Sequence, residues 1–153
     1  MNYIEIKPIL DRKMMVMCCF PYPGHRAGCP NFDKKEGCPP KTPMLDEILD
    51  ISKPVFAIYN IFDLKSHVDR MREKHPNWTD RQLRCLLYWQ PKARKDLRGK
   101  IRSFLALYPH LKIIACPEAN GVNVTETMSN AGITLEWMPV NVAYQIVFAG
   151  SLK

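Results

Sequence analysis

The sequence predicts an α/β layered single domain over residues 1–153: a central sheet of about 5–6 strands flanked by helices, with a long Cys/Pro-rich loop at 20–42. Two observations carry the fold. Short apolar runs rich in branched and aromatic residues alternate with amphipathic stretches of helical spacing, as strands layered with helices require. A chain of 153 residues is also long enough for one core to stabilise it without disulfide staples. A third observation sets the loop apart. Residues 20–42 lack periodicity, are rich in proline and glycine, and hold Cys29 and Cys38. Loops of that length inside a domain are usually functional or disordered, and a metal explains how this one stays ordered.

Taken in order, Tyr3 to Lys7 alternates apolar and polar residues and reads as a strand, broken by Pro8. Lys13 to Cys19 is a compact apolar run and reads as a buried strand. After the loop, Thr42 as N-cap, Pro43 at the first helical position and the acids Asp46 and Glu47 predict a short helix. Val55 to Phe62 is the next strand. Leu64, Val68 and Met71 lie on one helical face, so residues 63–74 form an amphipathic helix that Pro76 ends. Thr79 and Gln82 form a capping box for a helix running to Tyr88 or Trp89, which Pro91 kinks or restarts. Ala93, Leu97, Ile101, Phe104 and Leu105 then make one apolar stripe. Strands at 111–115, 133–137 and 142–148 follow, with a helix over 122–130 whose C-cap glycine is Gly132.

Composition narrows the function classes. No apolar run approaches the roughly 20 residues of a membrane helix, and no basic-then-apolar leader is visible. The expectation is a cytoplasmic protein with no membrane partner, where thiols stay reduced. Six cysteines in that setting point to metal or redox chemistry rather than to disulfides. The net charge of +7 attracts polyanions, although a basic solvated face is common in proteins of this size.

Three cysteines precede proline: Cys29-Pro30, Cys38-Pro39 and Cys116-Pro117. Proline removes a backbone donor and stiffens the rim of a site, and a Cys-Pro pair closes the ligand run of bacterial ferredoxins. Cys18 and Cys19 end a predicted strand and Cys116 follows another, which is where layered α/β domains place their sites. A four-thiolate site therefore combines Cys29, Cys38 and Cys116 with Cys18 or Cys19. Strand alternation separates the last two without saying which faces inward. Cys85, among Leu83, Leu86 and Leu87, reads as a small buried hydrophobe. Paired Cys-x2–4-Cys knuckles are missing, so an iron–sulfur cluster such as 4Fe-4S is favoured over zinc; sulfur-only ligation fits both.

The segment from Cys29 to Pro43, with Phe32, Lys34, Cys38-Pro39-Pro40 and Thr42-Pro43, resembles a family of uncharacterised prokaryotic proteins described as predicted metal-binding proteins. Their pattern has a cysteine, an aromatic-Gly-Lys turn, then Cys-Pro-Pro and Thr-Pro; Asp33 stands here in place of the glycine. Pro117 to Val124 is similar to the family's Glu-Ala-x-Gly-Ile-Asp-Val segment. The first anchor spans 15 residues, and the second, counted with the helix and glycine that follow it, about as many. The family often carries closely spaced ferredoxin-like cysteines between them, where this chain has only Cys85. The resemblance implies metal binding and leaves the reaction open.

Other residues carry weaker signals. His25 is a candidate ligand or proton donor in the cysteine loop, or simply a solvated histidine. Glu118, beside Cys116, is a candidate acid or base, or a charge placed before the following helix. His67 reads as lying on the polar side of its helix. Arg81, Arg84, Lys92, Arg94, Lys95, Arg98, Lys100 and Arg102 form the densest basic region, without interleaved aromatics. They support the alternative function, a zinc-stabilised basic module binding nucleic acid. The sequence names neither a redox partner nor a small-molecule substrate.

Overall fold

The computed structural model describes residues 2–20, 26–36, 38–136 and 139–153. Its elements in chain order are β1 (Tyr3–Ile6), α1 (Lys13–Val16), α2 (Leu45–Ile48), β2 (Val55–Asp63), α3 (Leu64–Lys74), α4 (Asp80–Leu83), α5 (Gln90–Leu107), β3 (Lys112–Ile114), α6 (Val124–Asn130) and β4 (Val142–Gly150). The strands form one open sheet of four in the order β1-β2-β4-β3, and every pairing is antiparallel. The α/β class stands, but the expected sheet of about 5–6 strands does not.

Two expected strands account for the difference. Over residues 13–19 the Asp11 carboxylate accepts from Lys13 N at 3.0 Å and the Asp11 carbonyl accepts from Met14 N at 3.0 Å, which starts a helical turn. α1 then runs into a 3-10 turn, Met17–Cys19. Met15 is buried, whereas Val16 and Met17 are 47% and 52% exposed, so this apolar run is not a core strand. Residues 133–136 also stay outside the sheet. α6 ends in a Schellman turn: Gly132 takes φ 90°, Gly132 N donates to Ser129 O and Ile133 N to Met128 O. Ile133 and Leu135 still pack against the core. Their alternation reports burial, while a strand also needs a pairing neighbour.

The sheet divides two layers of helix. On one face Ile58, Val147 and Ala149 pack with Leu97, Phe104 and Leu111, which seats α5. Asn60, 1% exposed on β2, donates to the Ala93 carbonyl at 2.7 Å and ties the first turns of α5 to the sheet. Leu64, Val68, Leu83, Trp89 and Ala93 extend this layer through α3 and α4. On the other face Val55, Ala57 and Phe148 meet Leu45, Leu49, Val122, Val124 and Met128. Burying one such side chain contributes about 2–3 kcal/mol, so each face is anchored by many small terms.

Local signals mostly land where expected. Thr79 and Gln82 exchange both capping-box bonds at 2.8 and 3.3 Å, while Asp63, expected as the first residue of α3, is instead its N-cap and accepts from Ser66 N. α4 stops at Leu83, however, and a separate 3-10 turn, Leu86–Tyr88, precedes α5, whose first turn holds Pro91. Thr42 is not a cap. α2 begins at Leu45, with Met44 N donating to the Glu47 carboxylate at 2.8 Å. None of the described helices is long and apolar enough to cross a membrane.

Candidate functional site

The cysteine loop is built from turns. Phe32 N donates to the Cys29 carbonyl at 3.1 Å, and Lys41 N and Thr42 N donate to the Cys38 carbonyl at 3.2 and 3.3 Å. Asp33 N donates to the Pro39 carbonyl at 2.7 Å, which joins the two Cys-Pro corners. Asp33 takes φ 60°, the left-handed region that glycine enters without strain. The Pro39 side chain is fully buried and anchors the Cys38 corner in the protein.

Long-range contacts bring the segments that carry Cys19, Cys38 and Cys116 to one side of the sheet. Asn120, 7% exposed, donates from Nδ2 to Thr42 Oγ1 and to the Pro43 carbonyl, both at 2.9 Å. This stitches the Cys38 corner to the 3-10 turn Pro117–Asn120 that follows Cys116. Gly121 closes that turn at φ 75°, where an added Cβ would overlap the Met44 side chain. Asp11 N donates to the Gly121 carbonyl at 2.7 Å, Asn123 N donates to the Ile9 carbonyl at 2.8 Å, and Leu10 bridges Val122. α1 packs on the same 3-10 turn and carries residues 17–19 with it.

The thiols themselves are differently placed. Cys19, Cys29 and Cys38 are half-buried, and none of them is in a disulfide. Cys19 Sγ donates to the Val16 carbonyl at 2.9 Å. Cys19 and Cys29 line one surface depression together with Arg26, Phe32 and Lys34. Cys116 is exposed, and its Sγ donates to Glu118 Oε2 at 3.7 Å. Desolvation by the surrounding protein raises the Glu118 carboxyl from its ordinary value, although the residue keeps an exposed surface. Cys85 is half-buried between α4 and the Leu86–Tyr88 turn, in the α3–α5 layer. Among the described residues, no three His, Cys, Asp or Glu side chains are grouped to hold a metal. The Cys18 side chain and all of His25 lie outside those residues.

Several site features have no forecast in the sequence reading. Asn120 is one, although Asn120-Gly121 is a turn signal that points to it. A second is a small cavity of about 280 Å³ between Glu118, Trp89, Gln90, Tyr144 and Gln145. Gln145 Oε1 is buried without a hydrogen-bond partner among the described residues. His67 is buried rather than on the polar side of α3, with no partner for Nε2 among the described residues and its ring 5.8 Å from that of Phe62. In the basic region Arg84 pairs with Asp80 at 3.1 Å and Lys100 with Asp96 at 2.7 Å. No protein-family model, curated protein or solved structure matches the chain.

Proposed function

We propose that this chain is a cytoplasmic thiolate-metal protein in which Cys29, Cys38, Cys116 and one of Cys18 and Cys19 ligate one centre, an iron–sulfur cluster ahead of zinc, with a redox or cluster-dependent role. The observation that supports the reading is the buried Asn120 bridge to Thr42 and Pro43. It holds the turn after Cys116 against the corner that carries Cys38, two segments 78 positions apart in sequence. The donor set is sulfur, which suits both a cluster and zinc. The described thiols form no ready three-ligand group, so ligation draws the Cys29–Cys38 loop towards Cys116. Such coupling of ordering to ligation is usual for thiolate sites.

Anaerobic purification followed by iron, sulfide and zinc analysis and visible absorption tests the proposal. The expected result is a coloured protein with iron and acid-labile sulfide, lost in Cys38→Ser and in Cys116→Ser. Zinc at one equivalent would replace the cluster with a structural zinc site. A colourless protein that takes up neither metal after reconstitution would overturn both.

A further inference from the structure

The cations of α5 are not spread evenly around a solvated helix. Ala93, Leu97 and Phe104 face the sheet and are buried. Beside that stripe a cleft of about 930 Å³ opens between α5 and the start of β1, within the size range of ligand sites. Its rim carries Lys92, Lys95, Lys100 and Arg102. Asp96 is the one acid among the lining residues, and Lys100 holds it at 2.7 Å. Lys92, Lys95 and Arg102 have no acidic partner within 4.0 Å among the described residues. From Lys92 to Arg102 the helix rises about 15 Å, room for about two to three phosphates of an extended strand.

The floor supplies what the basic helix lacks in sequence. Tyr3, from β1, lines the cleft and is fixed by edge contacts to Phe104 at 5.0 Å and to Phe56 at 6.1 Å between ring centroids. An aromatic ring is therefore held beside a row of unpaired cations. The wall between them is bare at Gly99. A glycine in a helix interior costs stability relative to alanine. Packing does not require this one, because an added Cβ would meet only the end of the Arg102 guanidinium, at 4.0 Å.

We propose that this cleft binds single-stranded nucleic acid, with the phosphates on Lys92, Lys95 and Arg102 and a base against Tyr3. A row of cations beside an aromatic floor matches the two parts of that ligand, a charged backbone and flat bases. A duplex keeps its bases stacked inside and has nothing to offer the floor. The site lies in the α5 layer, across the sheet from the Asn120 bridge, and does not depend on the metal reading.

Fluorescence anisotropy of a labelled oligodeoxythymidylate, titrated with the full chain at several salt concentrations, tests it. Binding should weaken with salt with a logarithmic slope of about −0.7 for each phosphate contacted, so about −1.4 to −2.1 in all. Lys95→Glu combined with Arg102→Glu should weaken binding at least about tenfold, whereas Lys74→Glu on α3, the same kind of charge change elsewhere, should leave it within about twofold. Gly99→Leu fills the wall, so it should lower affinity several-fold while its melting temperature stays at or above that of the parent. Absence of binding at low salt would overturn the proposal. So would equal or tighter binding of a duplex or of anionic vesicles, or an equal loss from Lys74→Glu.

Discussion

Asn120 Nδ2 donates to Thr42 Oγ1 at 2.9 Å, and both residues are at least nine-tenths buried. The same nitrogen also donates to the Pro43 carbonyl. Asn120→Ala therefore strands the buried Thr42 hydroxyl and removes a donor from the part-buried Pro43 carbonyl. Losing a partner inside a protein costs about 1–3 kcal/mol, so Asn120→Ala should destabilise the fold by roughly that amount. Thr42→Val removes one acceptor and leaves Asn120 the Pro43 carbonyl, so its cost should be the smaller of the two. Urea denaturation of both variants checks the order. If the bridge supports ligation as proposed, Asn120→Ala should also hold less metal after reconstitution than Cys85→Ala, whose thiol lies in the other layer.

Gly121 makes a related prediction through the backbone. At φ 75° a residue with a Cβ is strained, and here the Cβ would also overlap the buried Met44 side chain. The left-handed cost alone is about 1–2 kcal/mol, and displacing Met44 adds to it. Gly121→Ala should therefore cost about 2–4 kcal/mol. Gly132→Ala makes the control, because its φ is also positive, at 90°, but nothing lies within 4 Å of its added Cβ. It should show the backbone part only. Equal losses in the two variants would show that the Met44 overlap relaxes at no cost.

These cases mark what was legible in the sequence. β1, β2 and β4, the capping box of α4, the restart at Pro91 and the glycine at 132 follow from signals within a few residues of each element. The strand expected at 13–19 fails because an apolar run fits several local structures, and Asp11 turns this one into a helix. The strand expected at 133–137 is absent over 133–136, Trp137 lying outside the described residues, because partial burial of Ile133 and Leu135 needs no pairing partner. At the site, the turn chemistry of Cys29, Cys38 and Cys116 is visible locally. The Asn120–Thr42 bridge and the placement of Tyr3 beside α5 are not, since each joins residues some 80 to 100 positions apart.

Asp33 tests the cysteine loop directly. It is the one non-glycine residue with positive φ among those described, at 60°. Aspartate tolerates this region better than branched residues do. Asp33→Val should cost about 1–2 kcal/mol, whereas Asp33→Gly should be neutral or stabilising by up to about 1 kcal/mol. Thermal unfolding of the pair, each alongside the parent chain, gives the comparison. A glycine variant less stable than the valine variant would show that the Asp33 side chain, rather than its backbone conformation, holds the turn.

His67 sets an acid limit on the fold. Burial in α3 lowers its pKa from the ordinary value of 6.5, and the nearby Arg70 lowers it further. The native state therefore binds the proton less readily than the unfolded chain does. Above pH 6.5 both states are neutral at this residue and it adds no pH dependence. As pH falls through that value the unfolded state takes up the proton first, so stability should drop until the native pKa is passed. Nε2 is buried with no acceptor among the described residues, so these offer a protonated ring no compensating bond there. His67→Phe retains an aromatic ring beside Phe62 and removes the titration. Its stability relative to the parent chain should rise as pH falls from 7 to 5, measured by urea denaturation at each pH. Parallel pH profiles for the two proteins would show that His67 is not the group that titrates.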